Sequence, residues 1–179
     1  MKRKLLILVI ALQSAWLLGT VFLQERALRE GAVILLETRP VDPRDLLRGD
    51  YVILNYTISN VPTNLFAPPL TNNSPYKKPI WVAVGLHGEF HEIVRASLER
   101  FEPATNEVLL RGETYGWSNV ERGVSVSYGL EHYYVREGTG NPRGKLTVEA
   151  VVPASGHPSI KQVFLDGKPY AEAMKENSR

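Results

Sequence analysis

The stretch RPVDPRDLLRGDYVILNY, residues 39–56, joins a turn signal to an apolar run and so decides how the chain enters its core. Asp42 is suited to cap a short helix, and Pro43 fits the first helical position, where its missing N–H costs nothing. Arg48 suits the last turn of such a helix, and Gly49 suits its end. The stretch therefore predicts a capped helical turn that changes the direction of the chain just before a β-strand.

The apolar run that follows alternates between two faces, as a half-buried β-strand does. One face holds Val52, Leu54, Tyr56 and Ile58. Segments with the length and the β-branched or aromatic content of strands cover residues 32–38, 51–59, 80–87, 92–101, 107–115, 123–129, 145–152 and 159–167. Such strands hide one face and expose the other, so the sequence predicts one mainly β domain, either an antiparallel β-sandwich or a small β-barrel-like domain, with short helical turns.

Composition excludes several classes of protein and site. The chain has 179 residues, 44% of them hydrophobic, which suits one compact domain rather than two independent cores. It has no cysteine, and this excludes disulfides, thiolate zinc sites and cysteine nucleophiles together. Without Lys2, Arg3 and Lys4, 18 of the 21 basic residues remain against 19 acidic residues. The rest of the chain is therefore close to neutral, which disfavours nucleic acid as a partner.

The N-terminus begins with basic residues that are followed by residues 5–23, a run without charges. As a helix this run is about 28 Å long, which matches the hydrocarbon core of a bilayer. The segment after it is charge-balanced, so the positive-inside rule predicts a cytoplasmic N-terminus and a domain outside the cytoplasmic membrane. Two alternatives are a cleaved signal peptide, for which no small-x-small cleavage pattern follows, and a buried soluble helix, which would rarely be apolar on every face.

These features divide the chain into five parts. They are a cytoplasmic basic stub at 1–4, a transmembrane anchor at 5–23, a helical extension or linker at 24–31, an extracytoplasmic β-rich domain at 32–170 and a C-terminal tail or short helix at 171–179. Within the domain, residues 60–79 hold five of the 12 prolines. Proline keeps a chain extended and removes an N–H, so this segment is predicted to be a surface connection, with a binding loop as the alternative.

The eight residues GDYVILNY, Gly49 to Tyr56, fill every fixed position of the pattern Gly-Asp-Tyr-x-x-Leu-x-Tyr. By this pattern the sequence resembles the GDYXXLXY protein family. The resemblance extends through the preceding turn and, more loosely, through the segment YGLEHYYVREG at residues 128–138. Together with the N-terminal anchor it covers nearly the whole chain. The signature positions are Gly49, Asp50, Tyr51, Leu54 and Tyr56.

The resemblance implies a membrane-anchored bacterial protein without an established biochemical activity. Members of the family look like companions of multi-spanning membrane proteins, so an integral membrane protein is the partner that the resemblance implies. It brings no cofactor and no catalytic role. The signature residues carry over as signature positions only.

The anchor, the outward β-domain and the Pro-to-Gly-Asp stretch at residues 43–50 are also similar to type I signal peptidases, which use a serine nucleophile and a lysine base. No serine lies just before Pro43, and the strand at 92–101 carries Arg95 and Arg100, which stay protonated. The serine–lysine dyad is therefore excluded. A cell-envelope hydrolase or processing enzyme with an acid–base pair of carboxylates remains the alternative function. Its pair would come from Asp42, Asp45, Asp50 and Glu131.

Potential metal ligands crowd into residues 87–92, where they are His87, Glu89, His91 and Glu92. In an extended segment the two histidines are over about 12 Å apart, too far to share one zinc ion unless Gly88 folds the segment back. A polar hairpin turn between two strands is therefore the preferred interpretation, with no metal site. His132 and His157 stand alone in the sequence, where solvated or turn-capping roles suffice.

The second block, residues 128–138, is rich in rings and acids. Its candidate site residues are Tyr128, Glu131, Tyr134 and Glu137. Aromatic side chains with polar tips are common at interfaces, and they also fill the edges of β cores. If this block folds against residues 42–56, the two form a shared groove, to which Asp42 and Arg48 also belong. We therefore predict a non-enzymatic accessory protein that binds its partner through these two segments.

Overall fold

The computed structural model describes residues 2–39, 51–70, 75–118, 123–135 and 144–177. The chain begins with one continuous helix, α1, at Lys2–Glu30. Its most apolar window has a mean hydropathy of 2.2, and none of that window is buried against the rest of the protein. The helix is thus long and apolar enough to cross a membrane as an anchor or to serve as a signal sequence.

The remainder is mainly β, as the sequence predicts. The strands are β1 Ala32–Glu37, β2 Tyr51–Ile53, β3 Asn60–Pro62, β4 Tyr76–His87, β5 Phe90–Ser97, β6 Glu107–Ser118, β7 Gly123–Ser127, β8 His132–Tyr134, β9 Leu146–Val152, β10 Ser159–Leu165 and β11 Lys168–Pro169. Short 3-10 turns lie at Thr57–Ser59 and Thr63–Leu65, and a second helix, α2, lies at Tyr170–Asn177.

Within the described residues the strands form three antiparallel sheets. One sheet has the order β1-β9-β10-β11, a second has the order β3-β7-β6-β4-β5, and β2 pairs with β8 alone. None of these sheets closes on itself within the described segments, so the sandwich alternative fits and the barrel alternative does not. The two larger sheets approach each other where β1 lies beside β5.

The predicted alternation places the core correctly. Buried side chains from both large sheets and from the short strands form one apolar cluster. It includes Val124, Val126 and Tyr128 of one predicted face and Leu146, Val148 and Ala150 of another. α2 covers one side of this cluster with Tyr170, Ala173 and Met174, so of the two alternatives for the end of the chain the helix is the one present.

Gly31 is the only residue between α1 and β1, and it lies very close to β9. A Cβ atom at this position would come within 2.5 Å of Val151 Cγ1 and 3.0 Å of the Val152 carbonyl oxygen. Because real Cβ atoms do not approach other atoms so closely, only glycine allows the end of the helix to lie against the sheet here.

The predicted strand at 51–59 is wrong beyond Ile53. The predicted inner face is nevertheless buried throughout, from Val52 to Ile58. The chain leaves the β2 ladder at Leu54, forms a single bridge between Tyr56 and Thr38, and then enters a 3-10 turn. Tertiary contacts override strand propensity here, because Tyr56 pairs with Thr38 after β1 and also contacts Leu130 of the second block.

The proline-rich segment is only partly a connection. Both of its ends are strands: β3 begins at Asn60, and β4 begins at Tyr76. The prolines lie where a sheet tolerates them, since β3 is an edge strand that ends at Pro62, and Pro79 follows an irregularity in the β4–β6 register. Thr114 Oγ1 accepts the N–H of Lys78 at 3.0 Å at that irregularity. Residues 71–74 lie outside the described residues.

The predicted hairpin at residues 87–92 is confirmed. β4 and β5 pair in antiparallel register, and Gly88 turns the chain with a φ of 63°. His91 Nδ1 accepts the backbone N–H of Leu35 at 3.2 Å, and partial burial lowers the pKa of this imidazole. His91 thus connects the hairpin to β1 as a hydrogen-bond acceptor.

Candidate functional site

Residues 51–54 of the signature segment and residues 131–134 of the second block lie side by side, as the shared-groove hypothesis requires. β2 pairs with β8 in antiparallel register, so that Tyr51 lies opposite Tyr134 and Ile53 lies opposite His132. Beyond the ladder, the Leu54 N–H donates to the Glu131 carbonyl at 2.8 Å. Segments far apart in the sequence therefore form one continuous unit.

Two buried tyrosines fasten these segments to each other in opposite directions. The Tyr56 hydroxyl donates to the Leu130 carbonyl at 2.8 Å, and the Tyr128 hydroxyl donates to the Ile58 carbonyl at 2.9 Å. Both side chains belong to the core. We call this reciprocal pair of hydrogen bonds the tyrosine latch. It satisfies the polar tips of two large rings that could not otherwise be buried without a penalty.

Glu131 holds the turn that positions one half of the latch. Its carboxylate accepts the backbone N–H of Tyr128 at 2.7 Å and that of Gly129 at 3.0 Å, and Gly129 supplies a φ of 82°. Burial, and to a lesser extent the nearby Glu131 carboxylate, raises the pKa of Tyr56 and that of Tyr128 far above the ordinary value for tyrosine. Both phenols therefore stay protonated at any physiological pH.

The outer face of the same unit presents three rings. The Tyr51 ring lies edge-on to the rings of His132 and Tyr134, with centroid distances of 5.0 Å and 6.1 Å. Tyr134 is 77% exposed, whereas Tyr51 is half-buried. We call these three side chains the ring cluster. His132 therefore does not stand alone as predicted, because β8 places it beside Tyr51.

The middle residue of β8 points the other way and fixes the strand to the domain. Tyr133 packs edge-on against Tyr170 of α2, with 5.5 Å between the ring centroids. Because successive residues of a strand alternate between faces, anchoring Tyr133 inward orients His132 and Tyr134 outward. The ring cluster is thus carried on a short but well-supported ladder.

Next to the ring cluster lies a cleft of about 440 Å³. Its walls include Arg39, Tyr115, Ser127, Glu131 and His132. The sequence predicted only Glu131 among these side chains. His132 could have been found from its period-two spacing with Tyr134, whereas the Arg39 and Tyr115 positions depend on non-local pairing that no local pattern reveals.

Several predicted site residues lie outside the described residues. They are Asp42, Arg48, Gly49, Asp50 and Glu137, together with Asp45 of the alternative carboxylate pair. Of the predicted residues that are described, the structure brings Tyr51, Leu54 and Tyr56 together with Tyr128, Glu131 and Tyr134.

Groups that could carry other chemistry are dispersed in the described segments. No three His, Asp or Glu side chains there come together in a way that could hold a metal ion. His157 is exposed and lies in another cleft, with Arg111 and Glu113. Glu131, the described member of the alternative carboxylate pair, is engaged by two backbone N–H groups. This engagement favours a structural role for its carboxylate.

The family model described as GDYXXLXY protein matches residues 13–163, which include most of α1, both segments of the latch and the ring cluster. No curated protein and no solved structure matches the chain.

Proposed function

The chain belongs to the GDYXXLXY protein family, and from that premise we propose that it is a membrane-anchored accessory protein that binds an integral membrane protein through its ring cluster. The family has no established activity, so the proposal depends on what this chain's own residues present. The observation that carries it is the exposed ring cluster, which the signature segment and the second block build together.

The anchor is argued from α1. Its apolar side chains are exposed on every side. The surface of such a helix has to be covered by membrane lipid or by another protein. Lys2, Arg3 and Lys4 precede the apolar run, and positive charge before the first span favours a cytoplasmic N-terminus. The β-rich domain then lies on the outer side of the cytoplasmic membrane.

Some signature residues stabilise the core, and one contributes to the outer surface. Leu54 and Tyr56 are buried and serve the core and the latch. Tyr51 instead contributes its ring to the outer face. Tyrosine provides a large contact area at a low cost in conformational entropy, and it is enriched at binding hot spots. The position of Tyr51, a signature residue, on the outer face is better explained by recognition of a partner than by folding.

The support beneath the rings favours binding as well. The β2–β8 ladder, the latch and the contact between Tyr133 and Tyr170 fix the strand that carries Tyr134. A preorganised surface loses less side-chain and backbone freedom when a partner binds. The near-neutral domain also suits a protein partner better than a highly charged ligand.

Site-specific crosslinking in the native host tests the proposal. A photoreactive residue replaces Tyr134, and the control carries it at Leu86, an exposed residue (65%) at the hairpin end of β4. We expect capture of one multi-spanning membrane protein from position 134 and not from position 86. Equal capture from both positions, or none from position 134 in a folded and membrane-bound protein, would contradict the proposal.

Co-purification with the captured protein gives a quantitative test. Tyr134→Ala removes an aromatic hot-spot candidate and should weaken partner recovery by about thirtyfold or more, since a hot spot contributes about 2 kcal/mol. Leu86→Ala, the matched exposed truncation, should leave recovery unchanged. Equal recovery with both variants would place the contact elsewhere.

A further inference from the structure

The cleft that holds His157 has a volume of about 400 Å³ and lies on the five-stranded sheet, on the face away from the core. Arg111, Glu113 and Tyr115 of β6 form one wall and are exposed, whereas Thr114 between them is buried. Residues two apart in a strand are about 6.6 Å apart, so this wall is about 13 Å long. We call this site the β6 cleft. Its volume is in the range of sites for small molecules.

The β6 cleft has two fixed cations and one carboxylate among its described residues. Lys77 and Arg111 are the cations, and Glu113 is the carboxylate. Neither cation forms an ion pair within the part of the chain that the structure describes. Each lies over an aromatic ring instead, Lys77 at 5.7 Å from the centroid of Tyr76 and Arg111 at 5.6 Å from that of Trp81. A ring does not replace the anion that these N–H donors prefer, so the cleft has unused capacity for acidic groups.

A bulge in β4 gives Lys77 its position. The β4–β6 register shifts between Tyr76 and Pro79, so that β4 has one extra residue there. Lys77 adopts a φ of 51°, which residues other than glycine rarely do. The fully buried Thr114 hydroxyl holds the bulge, since it accepts the Lys78 N–H at 3.0 Å and donates to the Lys78 carbonyl at 3.3 Å. A fixed irregularity of the strand thus places Lys77 at one end of the cleft.

The connection between β9 and β10 forms the other end of the cleft. The Arg111 N–H donates to the Gly156 carbonyl at 2.8 Å. Gly156 has a φ of 82°, and a Cβ atom there would come within 2.9 Å of Trp81 Cζ3. Only glycine therefore allows this connection to lie so close to the sheet. His157 follows it and adds ring nitrogens that can donate or accept a hydrogen bond at the Arg111 end.

The uncharged walls favour a ligand that is rich in hydroxyl groups. Pro79 is the only aliphatic side chain among the described walls, whereas peptide and lipid ligands are usually held by apolar pockets. Tyr115 is 54% exposed, and its ring face can contact the C–H groups of a sugar. Glu113 and Ser127 offer a carboxylate and a hydroxyl as acceptors for sugar hydroxyls.

We propose that the β6 cleft binds an acidic glycan of at least two units, with carboxylates as its acidic groups. One carboxylate pairs with Arg111 and His157, a second pairs with Lys77, and Glu113 accepts the hydroxyls between them. A wall of about 13 Å exceeds the length of one sugar ring, so two units are needed to reach both cations. Because Glu113 offsets part of the positive charge, singly charged carboxylates fit better than more highly charged phosphates. The inference does not depend on the membrane anchor or on the ring cluster.

Saturation-transfer NMR on the full chain in phosphatidylcholine nanodiscs tests the site. The probe is digalacturonic acid, a disaccharide with one carboxylate on each unit, and lactose is its neutral counterpart. We expect saturation transfer to digalacturonic acid and at least about tenfold weaker binding of lactose, since the loss of one charged hydrogen bond has about that effect. Equal binding of the two disaccharides, or no transfer to either from a folded chain, would overturn the proposal.

Two pairs of matched variants test the contacts. Arg111→Gln should lower the affinity for digalacturonic acid about tenfold. Arg100→Gln is its control, because Arg100 also lies over Trp81, at 5.1 Å, but outside the cleft. Lys77→Gln should have a similar effect, whereas Lys78→Gln, at the exposed neighbour outside the cleft, should not. Equal losses within either pair would overturn the proposal, and if Arg111→Gln does not fold, the lysine pair decides alone.

A ring variant and three competitors complete the test. Tyr115→Ala should weaken binding of digalacturonic acid, whereas Tyr134→Ala, at a more exposed ring outside the cleft, should not. Galacturonic acid, a single unit, should bind at least about tenfold more weakly than the disaccharide, since it cannot reach both cations. Equal binding of the single unit would overturn the two-unit assignment. Equally effective displacement by inorganic phosphate or by an acidic tripeptide with blocked ends would overturn the glycan assignment.

Discussion

The tyrosine latch and the ring cluster are built from the same two segments, yet they put the same residue type to opposite uses. Tyr56 is fully buried and donates its hydroxyl to a backbone carbonyl, whereas Tyr134 is largely exposed and has its ring beside that of Tyr51. Position along the chain separates the two uses: Tyr51 and Tyr134 lie in the β2–β8 ladder and face outward, whereas Tyr56 and Tyr128 lie outside both strands and belong to the core. A tyrosine-rich signature therefore need not have one role.

The difference predicts how each region responds to change. A buried phenol must keep both its volume and its hydrogen bond, because the core has no water to replace either. An exposed phenol is solvated, so its removal alters the surface more than the fold. The substitutions below separate stability from binding on this basis.

Truncation of the latch should have the largest effect. Tyr56→Ala removes a fully buried ring and leaves a cavity, so we expect a loss of about 3–5 kcal/mol in the free energy of unfolding. Urea unfolding of the full chain in detergent, followed by near-ultraviolet circular dichroism, measures it. Tyr134→Ala is the control and should unfold near the wild-type midpoint. Similar losses in both variants would contradict the claim that Tyr56 stabilises the fold and Tyr134 does not.

Alkaline pH should destabilise the latch next most strongly. Below a pH of about 10, the ordinary pKa of tyrosine, both the folded and the unfolded state keep the phenol protons, and stability does not change. Above it the unfolded chain releases protons that folded Tyr56 and Tyr128 retain, since their pKa values are raised. The free energy of unfolding should then fall with rising pH by about 1.4 kcal/mol per unit for each phenol.

Urea midpoints measured between about pH 9 and pH 11 test this sign. The double variant Tyr56→Phe and Tyr128→Phe should lower this slope by the contribution of both phenols. An unchanged slope in the double variant would show that other groups cause the alkaline loss.

Removal of one latch hydroxyl should have a smaller effect. Tyr128→Phe keeps the ring but leaves the Ile58 carbonyl without this donor, so we expect a loss of about 1–2 kcal/mol. Thermal unfolding of the full chain measures the change. Tyr51→Phe is the matched variant on the outer face and should cost clearly less. A larger loss from Tyr51→Phe would mean that its hydroxyl, not that of Tyr128, holds the segments together.

The smallest effect on stability is expected from the most exposed ring. Tyr134→Ser should change the free energy of unfolding by no more than about 0.5 kcal/mol. The same variant should no longer co-purify with the integral membrane protein that we propose as the partner. A stable variant with normal partner recovery would contradict a binding role for the ring cluster. An unstable variant would show that Tyr134 contributes to the stability of the fold.

Local pattern was sufficient for much of this architecture. Alternation identified the buried face from Val52 to Ile58, even though regular pairing ends at Ile53, because burial depends on side-chain direction and not on the hydrogen-bond ladder. The length and uniform apolarity of α1 and the turn at Gly88 were likewise readable from nearby residues. Strand ends were less reliable, since tertiary contacts decide where pairing stops.

Only part of the candidate site could be predicted from the sequence. In the sequence, contact between the two tyrosine-rich segments was only the condition of the shared-groove hypothesis, and nothing indicated that Tyr56 and Tyr128 donate hydrogen bonds to backbone carbonyls. Such acceptors exist at every residue, so no side-chain pattern marks the ones that are used. The place of His132 beside Tyr51 and the cleft at Arg39 depend in the same way on register between distant strands.

The one-residue junction at Gly31 also sets an angular phase. If α1 is the membrane anchor proposed above and its end stays packed beside Val151, the direction in which the domain faces about the membrane normal follows the rotation of α1 about its own axis. Each helical residue turns that heading by about 100°. One residue added to α1 near its end would therefore swing the ring cluster away from a fixed partner, whereas a whole turn would nearly restore its direction. In the proposed function, the number of residues in α1 therefore sets the direction of the ring cluster about the membrane normal as well as the length of the span.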